Sequence, residues 1–229
     1  YKHRIADKML AKKLASKGAV LIEGPKWCGK TTTAEQHARS ILYMDNPASL
    51  ETNLQMAEID ASVLLDGDTP RLIDEWQLAP KLWDAIRFEV DHRHDVGQFV
   101  LTGSAVPAEE KDMHHSGTGR FSWLTMRPMS LYESGESNGK VSLTDLFETP
   151  EKIVAINKLN IEDLAFLICR GGWPFACGLQ DEAALAQAFD YVDASIKTDV
   201  SRVDGVNRNN TATRLHVRSY TRTHRSSAT

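Results

Sequence analysis

Two glycines, followed by Lys and Thr, mark the first place where this chain could do chemistry. Gly24-Pro25-Lys26-Trp27-Cys28-Gly29-Lys30-Thr31 fits the pattern of a phosphate-binding loop. Backbone N–H groups of such a loop and of the helix that follows converge on one spot, a concavity for phosphate oxygens. Lys30 would reach the β- and γ-phosphates, and the Thr31 hydroxyl would bind Mg²⁺. The nucleotide-binding set is therefore Gly24, Pro25, Lys26, Trp27, Cys28, Gly29, Lys30, Thr31 and Thr32. Within it, Lys26 could contact phosphate and Trp27 could stack on a base or a partner. The competing reading makes both exposed loop residues, and Lys26 has the better claim through its charge. Cys28 is a small residue lining the loop, with a thiol open to oxidation.

A second cluster, Asp74-Glu75, ends the apolar stretch Leu72-Ile73. In a hydrolase with an upstream phosphate loop the first carboxylate holds Mg²⁺ and the second orients and deprotonates the attacking water. Taken alone, two acids after an apolar run are an ordinary strand end at the surface; the phosphate loop tips the reading toward catalysis. The acid pair also argues against a small-molecule kinase, whose nucleophile is its substrate. Thr102 and Ser104 sit where a polar side chain touches the γ-phosphate or positions water, although Thr-Gly-Ser is also a common strand-ending turn. Arg120, after Gly119, is placed to stabilise transition-state charge in the same or a neighbouring subunit, with a structural salt bridge as the alternative. The histidines have no zinc spacing: His92 and His94 would lie on different sides of a helix, and His114-His115 fall in a polar loop.

The elements that must position these residues are legible from apolar runs. Ala19-Val20-Leu21-Ile22 suits a buried strand before the loop, and Thr31 to Arg39 a helix after it. Further strands are expected at Ile41 to Asp45, Arg71 to Asp74, Gln98 to Thr102 and Arg120 to Met126. Helices are expected over Ile5 to Ser16, Ala48 to Leu65 in two pieces, Pro80 to His94, Thr144 to Glu148, Ile161 to Arg170 and Asp181 to Val200. The last carries Ala184, Leu185, Ala188, Phe189, Val192 and Ile196 on one face. Alternating strands and helices predict an α/β fold with a parallel sheet covered on both sides. Sites in such sheets lie at the carboxyl ends of the strands, where each of the clusters from the phosphate loop to Thr102 falls.

Composition sets the frame. With 229 residues, 41% hydrophobic, 25% charged and a net charge of −4, the chain is in the ordinary globular class. At this size roughly 70–75% of the unfolded surface is buried on folding, so no disulfide or structural metal is needed. Three cysteines without metal spacing fit reduced thiols in a cytoplasm, and no apolar run is long enough to span a membrane. The start at Tyr1 rather than Met, and the stop at Ser226-Ser227-Ala228-Thr229, are read as two cut ends. From Gly205 onward Arg208, Arg214, Arg218, Arg222 and Arg225 stand with no acid among them. They read either as an arm for nucleic acid or an acidic protein, or as one face of helices in a truncated domain.

The phosphate loop, Leu72-Ile73-Asp74-Glu75-Trp76-Gln77, Val100-Leu101-Thr102-Gly103-Ser104 and Gly119-Arg120 together resemble a prokaryotic family of AAA-type ATPases. That family pairs its ATPase domain with a C-terminal domain of unknown function. The resemblance covers about Tyr1 to Ser134 and implies a P-loop NTPase three-layer sandwich with an AAA-like sheet order of 5-1-4-3-2, followed by a mainly helical part. It implies ATP and Mg²⁺ as ligands and hydrolysis as the reaction. Lys30, Thr31, Asp74 and Glu75 match its Walker motifs, Thr102 and Ser104 its sensor strand, and Arg120 its Gly-Arg motif. The expected domains are an ATPase domain over 1–134, a helical connecting region over 135–194, and the start of a truncated domain over 195–229. The expected function is Mg²⁺-dependent ATP hydrolysis, with Lys30, Glu75, Arg120 and Thr102 catalytic and Thr31 and Asp74 on the metal. The alternative is a nucleotide-gated switch with little turnover, binding nucleic acid or protein through the basic end. The oligomeric state is left open.

Overall fold

The computed structural model describes residues 1–103, 117–200 and 209–223. Its sheet has five parallel strands: β1 (Ala19–Glu23), β2 (Ser40–Tyr43), β3 (Arg71–Asp74), β4 (Phe99–Thr102) and β5 (Phe121–Thr125). They run in the order β2-β3-β4-β1-β5, the 5-1-4-3-2 order that the resemblance implies. The helices of this part are α1 (Ile5–Leu14), α2 (Lys30–Glu35), α3 (Leu50–Asp60) and α4 (Lys81–Arg93), with the short α5 (Leu131–Ser134) and α6 (Leu143–Glu148) after the sheet.

Successive strand residues face opposite sides, so a fully apolar strand must be covered twice. Ala19 and Leu21 of β1 join Ile73, Phe99, Leu101 and Phe121 in one layer, packed by Leu82, Trp83 and Ile86 of α4. Val20 and Ile22 join Leu72, Val100 and Leu124 in the other, packed by Leu10 and Leu14 of α1 and Ala34 of α2. This is the three-layer arrangement. β2, at the sheet edge, instead alternates, with Ile41 and Tyr43 exposed. Trp83 anchors the first layer, stacked on Phe121 at 4.0 Å and tilted against Trp76 at 5.2 Å.

The helix after the phosphate loop ends at Glu35, not at Arg39. Arg39 N–H already donates to Pro70 O at 2.8 Å, so the chain must leave the helix to enter β2 beside β3. The expected strand at Ile41 to Asp45 correspondingly begins one residue earlier.

The chain divides into two compact units. One comprises Tyr1–Lys158 with Gly172–Phe175; the other comprises Leu159–Gly171 and the described residues from Ala176 onward. The second unit holds α7 (Ile161–Arg170), α8 (Asp181–Ala194) continued by a π-helical turn (Ser195–Asp199), and α9 (Asn210–Thr223). The α7 start is fixed by a reciprocal cap: Asn160 Oδ1 accepts from Asp163 N–H and Asp163 Oδ2 from Asn160 N–H. The face expected on α8 is only partly covered. Ala184 and Ile196 are buried, whereas Phe189 is 74% and Val192 45% exposed.

Candidate nucleotide site

Parallel pairing brings the carboxyl ends of β1, β3 and β4 side by side. Asp74 lies opposite Thr102 and Ile22 opposite Thr102, so the phosphate loop, the acid pair and Thr102 share one end of the sheet. Gly24 leaves β1 at φ 152°, and a Cβ there would lie 2.2 Å from Met126 O. No side chain fits, which is why the loop must open on glycine. Gly29 caps α2 at φ 95° without a side-chain cap. Cys28 is fully buried, its Sγ 3.9 Å from Met126 O. Burial pushes its thiol up, against the pull of Lys30 and Arg4.

Lys30 is buried in the loop, its Nζ donating to Gly24 O and Pro25 O at 3.0 Å each. At the second residue of α2, Thr31 Oγ1 donates to Asp74 Oδ1 at 2.8 Å, and the Thr102 hydroxyl donates to the same oxygen. Asp74 is 6% and Thr102 1% exposed. Burial raises the Asp74 carboxyl above its usual range, Thr102 and Thr31 oppose this, and the nearby Asp45 and Glu35 charges add to it. An anionic oxygen held by two hydroxyls in a desolvated corner with further acids nearby is a site that a cation relieves. Among the described residues no group of three or more His, Cys, Asp or Glu gathers as a metal cage. Mg²⁺ does not require one, since it takes one or two protein oxygens together with phosphates and water.

Glu75 stands at φ 54°, in the left-handed region, at a cost of about 1 kcal/mol or more. Trp76, 7% exposed, plugs the core behind it and holds this backbone in place. The Gln77 Nε2 donates to Glu75 Oε2, which holds the carboxylate.

Of the remaining expected residues, Lys26, Trp27 and Thr32 are exposed around the loop, Trp27 at φ 64°. Ser104, with His114 and His115, lies outside the described residues, as do Arg208 and Arg225. Arg120 is elsewhere. Its carbonyl accepts from Ala19 N–H at the start of β1, the opposite end of the sheet from Gly24. Five strand residues separate the two ends, about 16 Å. The guanidinium forms a forked pair with Asp91 of α4 at 2.7 and 3.1 Å. Within one chain the structure does not bring Arg120 to the phosphate loop.

Two residues that sequence reasoning missed touch the site. Gln77 holds Glu75, and Arg4, ahead of α1, donates to Cys28 O at 2.8 Å. Gln77 was visible only as the end of the Asp-Glu-Trp-Gln string; Arg4 has no local signal.

A family model described as AAA domain matches residues 16–135, just over half of the 229-residue chain. A search of curated proteins finds no match. Among solved structures, the Walker-type ATPase PABY2304 of Pyrococcus abyssi is similar in fold, with a TM-score of 0.54 at 13% identity over 89% of this chain and 75% of that one. Among the described residues no helix is long and apolar enough to cross a membrane. The chain belongs to the AAA domain family, and so to the ATPase-like nucleotide-binding proteins.

Proposed function

We propose that this chain hydrolyses ATP with Mg²⁺. The observation that supports it most is the convergence of Thr31 and Thr102 on the buried Asp74 carboxylate, one residue before Glu75. In this reading the loop N–H groups from Lys26 to Thr32 and the Lys30 ammonium hold the triphosphate, and Lys30 exchanges the Gly24 and Pro25 carbonyls for phosphate oxygens. Thr31 and Asp74 would hold the metal, which would supply Lewis-acid neutralisation of the charge that develops on the phosphates. Thr102 keeps Asp74 oriented, Glu75 accepts the proton of the attacking water, and Ser104 contacts the γ-phosphate. Arg120 serves a neighbouring copy, its own site being a strand length away.

The same reading divides the chain into an ATPase domain (1–134), a connecting region (135–194) and the start of a further domain (195–229), on which hydrolysis acts. Arg214 and Arg218, exposed on α9, offer a surface for nucleic acid or an acidic partner, although Arg214 is paired with Asp193 at 2.6 Å. A reducing cytoplasm suits the loop thiol. The test is phosphate release by the full chain with ATP, with and without Mg²⁺. Release that needs the metal supports the reading; release at the same rate in excess chelator contradicts it.

A second reading, a nucleotide-gated switch with little turnover, is favoured by the Gln77 hydrogen bond that occupies Glu75. Gln77→Ala separates the two. A severalfold rise in phosphate release marks Gln77 as a restraint and the wild-type site as gated; a fall marks it as support for a working base.

A further inference from the structure

Arg4 has a side chain only 4% exposed, and all three kinds of its guanidinium nitrogen are used. Nη1 donates to Cys28 O at 2.8 Å, Nη2 to Arg127 O at 2.7 Å, and Nε to Glu133 Oε1 at 3.0 Å. Glu133 is fixed in turn: Oε1 accepts from Ile5 N–H at 2.8 Å, and Oε2 from Ser130 N–H at 2.8 Å and Ser130 Oγ at 2.9 Å. Burial alone would raise the Glu133 carboxyl, but these donors outweigh it and hold it below its usual range. A buried cation that survives only by complete pairing is an expensive way to seat a helix.

The acceptor on the loop explains its use. Cys28 O belongs to the peptide that carries the Gly29 N–H, and in a trans peptide the two groups point in opposite directions. With the carbonyl directed to Arg4, the Gly29 N–H points away from Arg4. Gly29 is also closely approached: a Cβ there would lie 3.3 Å from Arg4 Nη1 and 3.5 Å from Pro174 Cγ. The Pro174 segment is itself tied down, Gly172 O accepting from Met129 N–H at 2.6 Å.

We propose that Arg4 is a positioning residue for nucleotide binding: it sets the Cys28–Gly29 peptide in its anion-binding orientation by bracing the phosphate loop against the Arg127–Glu133 segment. The proposal rests on the reading of Gly24 to Thr31 as a triphosphate site. It goes beyond that reading by giving the loop a support outside its own motif. The guanidinium fork reaches its three acceptors from three separate nitrogens, whereas the three donors of a lysine ammonium sit on one nitrogen and cannot span them.

The experiment measures AMP, ADP and ATP binding to the full chain and to Arg4→Lys, with circular dichroism and apo melting temperature in parallel. ADP and ATP affinities of Arg4→Lys are expected to fall about tenfold or more, the loss of a charge-assisted hydrogen bond, while AMP affinity changes less. In turnover KM rises by the same factor and kcat at saturating ATP stays within about twofold. A merely structural role lowers the melting temperature without this dependence on phosphate number, and a folded variant with wild-type ADP affinity overturns the proposal. Where Arg4→Lys does not fold, Glu133→Gln replaces it: it loosens the brace while keeping an acceptor for Nε, and unchanged ADP affinity there is equally fatal. Absence of ADP binding by the unmutated chain would sink the triphosphate reading itself, a result distinct from normal binding in both variants.

Discussion

Asp74→Asn should make the protein more stable and less active at once. The carboxylate is 6% exposed, with burial raising it and the Asp45 and Glu35 charges acting in the same direction. Its two close donors, Thr31 and Thr102, both use Oδ1. An asparagine oxygen in the same place keeps both bonds, while the new amide presents donors to the neighbouring acids. The exchange removes a desolvated charge and loses no hydrogen bond, so the nucleotide-free protein should gain about 1 kcal/mol, or about 2–4 °C in melting temperature at this chain length.

The sign with pH follows from linkage. An acid with a higher pKa folded than unfolded destabilises the native state as pH rises through that window, and the cost is full above the raised value. The advantage of Asp74→Asn is therefore greatest at neutral and alkaline pH, shrinks as pH falls through the raised folded value, and vanishes below the unfolded value of 3.8, where the parent carboxyl is protonated in both states. With Mg²⁺ and ATP the order reverses: the parent gains a cation at Asp74, the variant does not, and phosphate release falls at least about a hundredfold. Melting curves at two pH values, with and without Mg-ATP, read all of this. No gain in the nucleotide-free variant at neutral pH, or equal stabilisation of variant and parent by Mg-ATP, would refute the reasoning.

Thr102→Val removes one of the two donors on the Asp74 carboxylate and should slow phosphate release at least about tenfold with ATP affinity within a few fold; unchanged turnover would free Thr102 of any role. Trp83→Ala deletes the stack on Phe121 and the contact with Trp76 in a core position 3% exposed, costing about 3–5 kcal/mol in denaturant titration. Arg120→Ala should leave the ATP affinity of the single chain unaltered, because the residue stands at the far end of β5 on Asp91; a tenfold weaker affinity would place it at its own chain's nucleotide after all. Its effect on turnover, acting on a neighbouring copy, should grow with protein concentration.

Most of the site was legible because its residues sit next to the strand ends that carry them. Ala19 to Ile22, Leu72 and Ile73, and Phe99 to Leu101 are buried on both faces, so they read as continuous apolar runs with their polar residues just beyond. Strand order did not come from the runs themselves; it came from the resemblance, and the sheet agrees. Arg4 was illegible because its three acceptors, Cys28, Arg127 and Glu133, are close only after β1 and β5 pair. The Gly-Arg motif and the expected strand from Arg120 to Met126 put Arg120 at the start of β5, and parallel pairing with β1 sets that start at the end of the sheet away from Gly24. The same limit applies to the second unit, where helical periodicity named the apolar residues of α8 but not which of them, such as Phe189, would find cover.

The central claim is that Glu75 activates water for hydrolysis of ATP held by the phosphate loop. Glu75→Gln preserves size and the hydrogen-bonding reach toward Gln77 while removing the base. Measured side by side, ATP affinity and single-turnover phosphate release should part: binding within a few fold of the parent, and release reduced by at least about a hundredfold. Phosphate release by Glu75→Gln at the parent rate would contradict the account.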